Sequence, residues 1–297
     1  MQHSLAVSVW SLQRLTLTLG TPLNDLMGII AGMGVDQIEI NEDYLRLAPY
    51  DTPHGHRLLR KAAAENGVKI ASLWFYTDLI GASVLTSVDA VADQLKDYLA
   101  IAALVGSPRI TIPIGEGPSD LSFERGYGIL TDVFAKTLPV ADDYGVDIGL
   151  EVGRMIGRYQ TPEGALKLIA DLCSTRLKVV PDFEAWRHET PDLPLTHVES
   201  MSLPTEPASI DLFRRCLPHA SLIHAKLLRL DETGSEPHFP LDELMRAVRE
   251  SEKDHILDIE FEGWIPDIDP DRDCIVETRR CVALLKAHLS VGTKPSH

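Results

Sequence analysis

The chain has 297 residues, 44% of them apolar and 24% charged, the proportions of an ordinary globular protein long enough to bury a full core. Its 28 basic and 44 acidic residues leave a net charge of −16, which opposes binding along a phosphate backbone and argues against a nucleic-acid partner. The short basic stretches, His56–Lys61 and Thr278–Arg280, read as solvated helix faces.

The N-terminal MQHSLAVSVW lacks the charged leader and long apolar core of a signal peptide. No later run approaches the roughly 18 apolar residues of a membrane span, so a cytoplasmic protein with no membrane partner is expected. Short runs of β type then recur along the chain. They cover Leu5–Val9, Gln37–Ile40, Lys69–Trp74, Arg109–Pro113, Asp147–Glu151, Lys178–Pro181, Ser221–Ala225 and Ile256–Phe261. Helical spacing fills the gaps at Leu23–Gly32, His54–Asn66, Ser87–Val105, Leu121–Tyr144, Thr161–Leu172, Ala208–Cys216, Leu241–Arg249 and Asp271–His288. The third and fourth of these end at a glycine, and the fifth opens on a Thr-Pro-Glu cap.

Eight βα units imply a parallel sheet, and their number favours closure into a (β/α)8 TIM barrel, an α/β fold in one domain spanning 1–297. A doubly wound sheet would more often carry a glycine-rich turn after its first strand, and this chain runs into SVWSLQRL instead. The longest irregular stretch, about 187–206, follows the sixth strand; it is either a lid or substrate loop or a surface insertion. Cys173, Cys216, Cys274 and Cys281 form no CxxC pair and fit small core or half-buried positions in a reducing compartment.

Four residues stand out. Glu151, Asp182, His224 and Glu260 each lie at or just beyond the end of an apolar run (VDIGL, LKVVP, ASLI and HILDI), at roughly 30–40-residue spacing. In a barrel all such ends point to one mouth, where active sites lie. Three carboxylates and an imidazole meeting there suit a hard divalent cation, Mn²⁺ first, with Mg²⁺ or Co²⁺ as alternatives. Such an ion polarises a carbonyl, and a carboxylate on each side of a keto-sugar then moves the neighbouring proton. Glu151 and Glu260, from non-neighbouring strands, form the natural acid/base pair. The plainer readings are salt-bridged carboxylates at Glu151 and Glu260, a turn cap at Asp182 and a core histidine at His224. Glu39, closing the second strand in GVDQIEI, is assigned a supporting or structural place.

The segments GLEVG, PDF, IHAKL and DIEFEGW resemble the xylose-isomerase-like TIM barrel superfamily, the sugar phosphate isomerase/epimerase family, over nearly the whole chain. The resemblance rests on the ligand pattern, including His224-Ala225-Lys226 on the seventh strand. It implies that Glu151, Asp182, His224 and Glu260 hold the metal, that Glu151 and Glu260 exchange the proton, and that the substrate is a small carbohydrate. It also implies a homo-oligomer, with a second, unrelated subunit in some members. The chain departs from several branches. Ala185 stands where epimerases commonly have a histidine, and the nearest is His188. The Asn and second Glu that follow the strand-five ligand in epimerases are absent from VGRMIGRY, and so is the strand-six lysine of xylose isomerases. The larger His and Asp set of the DNA-repair endonucleases is missing too.

The primary expectation is an isomerase or epimerase working through an enediolate. The alternative is a lyase or dehydratase that expels a β-substituent from an inosose or a 3-keto-glycoside, including C-glycosides. A repair endonuclease and a partner-dependent subunit stand behind these. Lys226 lies on the same side of its strand as His224, toward a substrate oxygen or an outward salt bridge. Arg154, Arg187, His188 and Arg229 are loop candidates for substrate contacts. Trp10, Trp74, Trp186 and Trp264, near strand ends, either stack on a sugar face or plug the rim. No glycine-rich phosphate cradle stands out; GSEPH, Gly234–His238, comes nearest.

Overall fold

The computed structural model describes residues 2–153, 159–188, 207–266 and 269–291. Eight parallel strands run β1 Ser4–Ser8, β2 Gln37–Asn41, β3 Lys69–Trp74, β4 Arg109–Ile112, β5 Asp147–Val152, β6 Leu177–Pro181, β7 Ile223–Leu227 and β8 Ile256–Phe261. They pair in the order β6-β5-β4-β3-β2-β1-β8-β7. Two parallel bridges, Val179 to Ala220 and Asp182 to His224, join β6 to β7 and close the barrel. The second of these sets one candidate ligand beside another at the seam.

The strand ranges agree with the sequence expectation to within a residue or two. β7 is shifted furthest, because the backbone N–H of Ser221 bonds to Val179 on β6, whereas the ladder with β8 begins at Ile223 opposite Leu257. Strands buried on both faces read as continuous apolar runs, and Ile38, Ile40, Ile148, Leu150 and Val179 are all fully buried. Polar residues break this pattern on the inner wall. Glu39 sits between Ser8 and Ser72 in register, and Ser72 Oγ lies 2.8 Å from Thr111 Oγ1.

The helices are α1 Leu23–Ala31, α2 Glu42–Leu45, α3 Pro53–Glu65, α4 Leu79–Leu85, α5 Val88–Val105, α6 Phe123–Tyr144, α7 Pro162–Leu172, α8 Ile210–Cys216, α9 Leu241–Glu250 and α10 Cys274–Ser290. Side-chain oxygens of Thr52, Ser87, Ser122, Thr161 and Ser209 accept the free N–H groups at their starts. α5 and α6 stop at Gly106 and Gly145, whose φ of 82° and 67° a side chain would strain. The sequence does not reveal α2 and α4. At four and seven residues, on the loops after β2 and β3, they are too short to display a helical period.

Of the irregular stretch about 187–206, only Arg187 and His188 fall within the described residues. Three cysteines are buried as expected, but Cys173 is exposed, closing α7 in a left-handed conformation. No helix among the described residues is long and apolar enough to cross a membrane.

The floor of the barrel carries a titratable pair. His255 is buried, stacks on His3 at 5.7 Å and lies 2.7 Å from Ser251 Oγ through Nε2. Burial, and then the charge of His3, pushes its pKa down to about 4. An unfolded histidine takes up its proton near the ordinary value of about 6.5, so the unfolded chain binds more protons between these limits. Stability is expected to fall as pH drops from about 6.5 to about 4. Urea midpoints across that window should decline less steeply in His255→Phe than in the parent chain; identical slopes would remove His255 as the cause.

Candidate active site

Four strands deliver the expected ligands to one place, but His224 is the second residue of β7, near its start and not its end, because the ladder with β8 begins at Ile223. Ligand atoms of Glu151, Asp182, His224 and Glu260 all lie within 4.8 Å of one another. Glu151 comes from the end of β5 and Asp182 from the residue after β6. His224 comes from β7 and Glu260 from β8. His224 Nδ1 is 3.0 Å from Glu151 Oε1 and 3.7 Å from Glu260 Oε2. Asp182 uses both oxygens: Oδ1 accepts the N–H of Glu184 and caps a short turn, while Oδ2 lies 3.1 Å from Lys226 Nζ. The capping role and a site position are thus compatible in one side chain.

The other imidazole nitrogen, His224 Nε2, lies 3.2 Å from Glu39 Oε1, an ion-pair distance. β1 and β8 separate β2 from β7 in the sheet, so this contact crosses the interior of the barrel. A carboxylate behind a ligand histidine fixes the ring orientation and tautomer. Asp258, two residues before Glu260 and on the same strand face, completes a second, fully buried group with Glu39, His224 and Glu260. The sequence analysis missed Asp258. Its signal was available, since a carboxylate at i−2 from a strand-end ligand shares that ligand's side of the strand.

The charges respond to this crowding. Burial works against a proton on His224, but Glu260, Glu39 and Glu151 outweigh it and hold the imidazolium well above the ordinary histidine range. Burial lifts Glu260 well above the usual carboxylate range despite the pull of His224 and Lys226. Burial also lifts Asp258, helped by the Glu39 carboxylate. At Glu151 burial is overcome by the hydrogen bond and charge of His224, and the group is held low. Glu184, beside the site, is pushed up to about 7, chiefly by burial. Glu260, Glu39 and Glu151 favour the imidazolium of His224, and the Lys226 ammonium pairs with Asp182. A three-carboxylate, one-imidazole set that draws in positive charge in this way fits a divalent cation.

Above the four lies a cavity of about 510 Å³. Trp10 and Trp74 line it, and each donates its indole N–H to a carboxylate: Trp10 to Glu262 Oε1 and Trp74 to Glu151 Oε2, both at 2.9 Å. Lys226 also lines it, bridging Asp182 to Glu262 Oε2 at 3.3 Å. Other expected contacts lie elsewhere. Trp186 is fully buried; its indole donates to the Ser209 carbonyl and its ring packs edge-on against Phe213. Trp264 donates to the Pro270 carbonyl. Arg187 is buried against Glu184, and Arg229 points outward. His188 lines a separate cavity beside α9 and α10. Arg154 lies outside the described residues. Asn41, Glu42, Gln160, Glu184 and Glu262 line the main cavity without having been singled out in the sequence.

Residues 28–277 match the xylose isomerase-like TIM barrel family, and the chain belongs to it. Among solved structures, the barrel is similar to a D-psicose 3-epimerase from Clostridium cellulolyticum H10, with a TM-score of 0.74 at 13% identity, covering 96% of this chain and 99% of that one. It is also similar to the 3-keto-D-glucoside 4-epimerase of E. coli, with a TM-score of 0.68 at 16% identity, covering 96% and 100%. Among curated proteins, a segment of 80 residues is 31% identical to a C-glycoside deglycosidase alpha subunit of Microbacterium trichothecenolyticum. A segment of 58 residues is 33% identical to the protein of the same name from Arthrobacter globiformis. Those segments span 27% and 20% of this chain, and 22% and 16% of the relatives.

Proposed function

We propose that this protein is a divalent-metal-dependent enzyme that moves a proton beside the carbonyl of a sugar or keto-sugar, as an isomerase or epimerase. The observation that carries this reading is the convergence of Glu151, Asp182, His224 and Glu260 under one cavity. The epimerase names of its structural neighbours support it. A cation held by these four residues, Mn²⁺ by preference, with Mg²⁺ or Co²⁺ as alternatives, would polarise a substrate carbonyl and acidify the adjacent C–H. Glu151, held ionised, takes that proton, and the Trp74 N–H fixes its Oε2 while it does so. Glu260, on the strand β8 side of the bound ion, returns a proton. Return to the opposite face of the enediolate gives the epimer; return to the neighbouring carbon on the same face gives the isomer. Lys226 forms ion pairs with Asp182 and Glu262, and the indoles of Trp10 and Trp74 form an aromatic wall.

A second reading, a lyase, is favoured by the similarity to C-glycoside deglycosidase alpha subunits. There the same enediolate expels a group β to the carbonyl, and an acid protonates the leaving atom. Metal analysis of the purified protein tests the shared core, followed by deuterium uptake from D₂O on free ketoses, inosose and 3-keto O- and C-glycosides. One bound divalent ion per chain with metal-dependent exchange is expected, and the product separates epimer, isomer and elimination. Absence of exchange after Mn²⁺ is restored would overturn the assignment.

A further inference from the structure

We infer that the substrate of this cavity carries free hydroxyl groups and no phosphate, and that the side-chain amides of Asn41 and Gln160 receive two of those hydroxyls. The inference rests on the sugar reading given above. Asn41 is the last residue of β2 and Gln160 follows β5, so the two approach the cavity from either side of β3 and β4. Both line the cavity and are 7% and 3% exposed, and neither Asn41 Oδ1 nor Gln160 Oε1 has a hydrogen-bond partner. Buried amide oxygens are rarely left unpaired, because losing water without gaining a donor is costly. Two such oxygens on the wall of one cavity are accounted for if the donors arrive with the ligand. A hydroxyl group can donate to these two oxygens, whereas a phosphate dianion placed against them offers only acceptors.

The charge around the cavity agrees. Seven of its described lining residues are carboxylic acids, against the single cation Lys226, which already spans Asp182 and Glu262. A +2 ion in the site leaves an excess of negative charge that repels a phosphate ester. The stretch nearest to a phosphate cradle is occupied by the protein's own acids. Asp231 Oδ1 accepts the N–H groups of Thr233 and Ser235, and Glu236 Oε2 accepts those of Leu228 and Arg229. These backbone N–H groups are already taken by carboxylates.

Calorimetry on the Mn²⁺-loaded full chain tests the inference, with a free ketohexose, a 3-keto-glucoside and the 6-phosphate of each as probes, at fixed ionic strength. At least one neutral sugar is expected to bind about tenfold or more tightly than its phosphate ester. Gln160→Met and Asn41→Leu should each weaken that sugar by about tenfold while leaving Mn²⁺ affinity and melting temperature unchanged. Tighter binding of the phosphate esters, or no binding of any neutral probe, would overturn the inference. So would neutral binding that neither variant alters. Deuterium exchange on the same samples separates the two claims. Exchange confined to phosphate esters leaves the enediolate reading standing and removes this one. Neutral binding as expected, without exchange, does the reverse.

Discussion

Glu151→Gln and Glu260→Gln are each expected to lower metal-dependent deuterium uptake by about two to four orders of magnitude at saturating Mn²⁺, the usual contribution of a positioned proton carrier. Glutamine keeps the volume of each side chain and an oxygen at the same place. At position 151 it can still accept the indole N–H of Trp74, which lies 2.9 Å away in the parent chain. What it loses is the ability to take up or release a proton. It also removes one negative charge from the ligand set, so metal affinity should weaken in both variants. Measuring bound Mn²⁺ beside the rate keeps the two effects apart. With Glu151 as the base and Glu260 as the acid, single-turnover wash-in should fail first at proton removal in the former and at proton return in the latter. Turnover within about twofold of the parent at full metal occupancy would exclude that residue from the acid/base pair.

Lys226→Met should destabilise the metal-free protein by about 3–5 kcal/mol, the cost of leaving a buried charge without its partner. The ammonium is almost wholly buried, 3.1 Å from Asp182 and 3.3 Å from Glu262, and methionine replaces its stem but not its charge. A melting temperature lower by roughly 10 °C is the expected reading for a chain of this size. Mn²⁺ should recover part of the loss, since ligand at about 100 times its Kd adds about 2.7 kcal/mol and a cation at Asp182 does part of the lysine's electrostatic duty. The variant should therefore gain more from metal than the parent does. An unchanged melting temperature without metal would mean that Lys226 is not what balances these carboxylates.

The eight βα units, the barrel and the four converging residues were legible because each depends on local pattern. A strand buried on both faces is a short apolar run, an amphipathic helix repeats at 3.6 residues, and parallel strands joined by helices bring their C-terminal ends to one mouth. Glu151, Asp182, His224 and Glu260 interrupt or follow apolar runs in four successive units, so they could be found without knowing a single distance. Glu39 breaks the apolar run of the second unit in the same way, but it lies in the middle of β2 and not at its end; its contact to His224 Nε2 suits the supporting or structural place assigned to it.

The remaining features depend on contacts between distant parts of the chain. Trp186 is four residues from Asp182, which suggested the mouth, but the tight turn Phe183–Trp186 carries its indole into the core against Phe213 on α8. Asn41 and Gln160 are ordinary amides in the sequence; only burial, a shared cavity and the lack of partners distinguish them. Asp258 lies mid-strand, and its place beside Glu39 and His224 is a property of the closed interior. Local order along the chain thus determined which side chains reach the mouth of the barrel. The tertiary structure alone decided how they are paired, which of them carry protons and which face the cavity, because pairing, desolvation and shape arise only where strands from distant parts of the sequence meet.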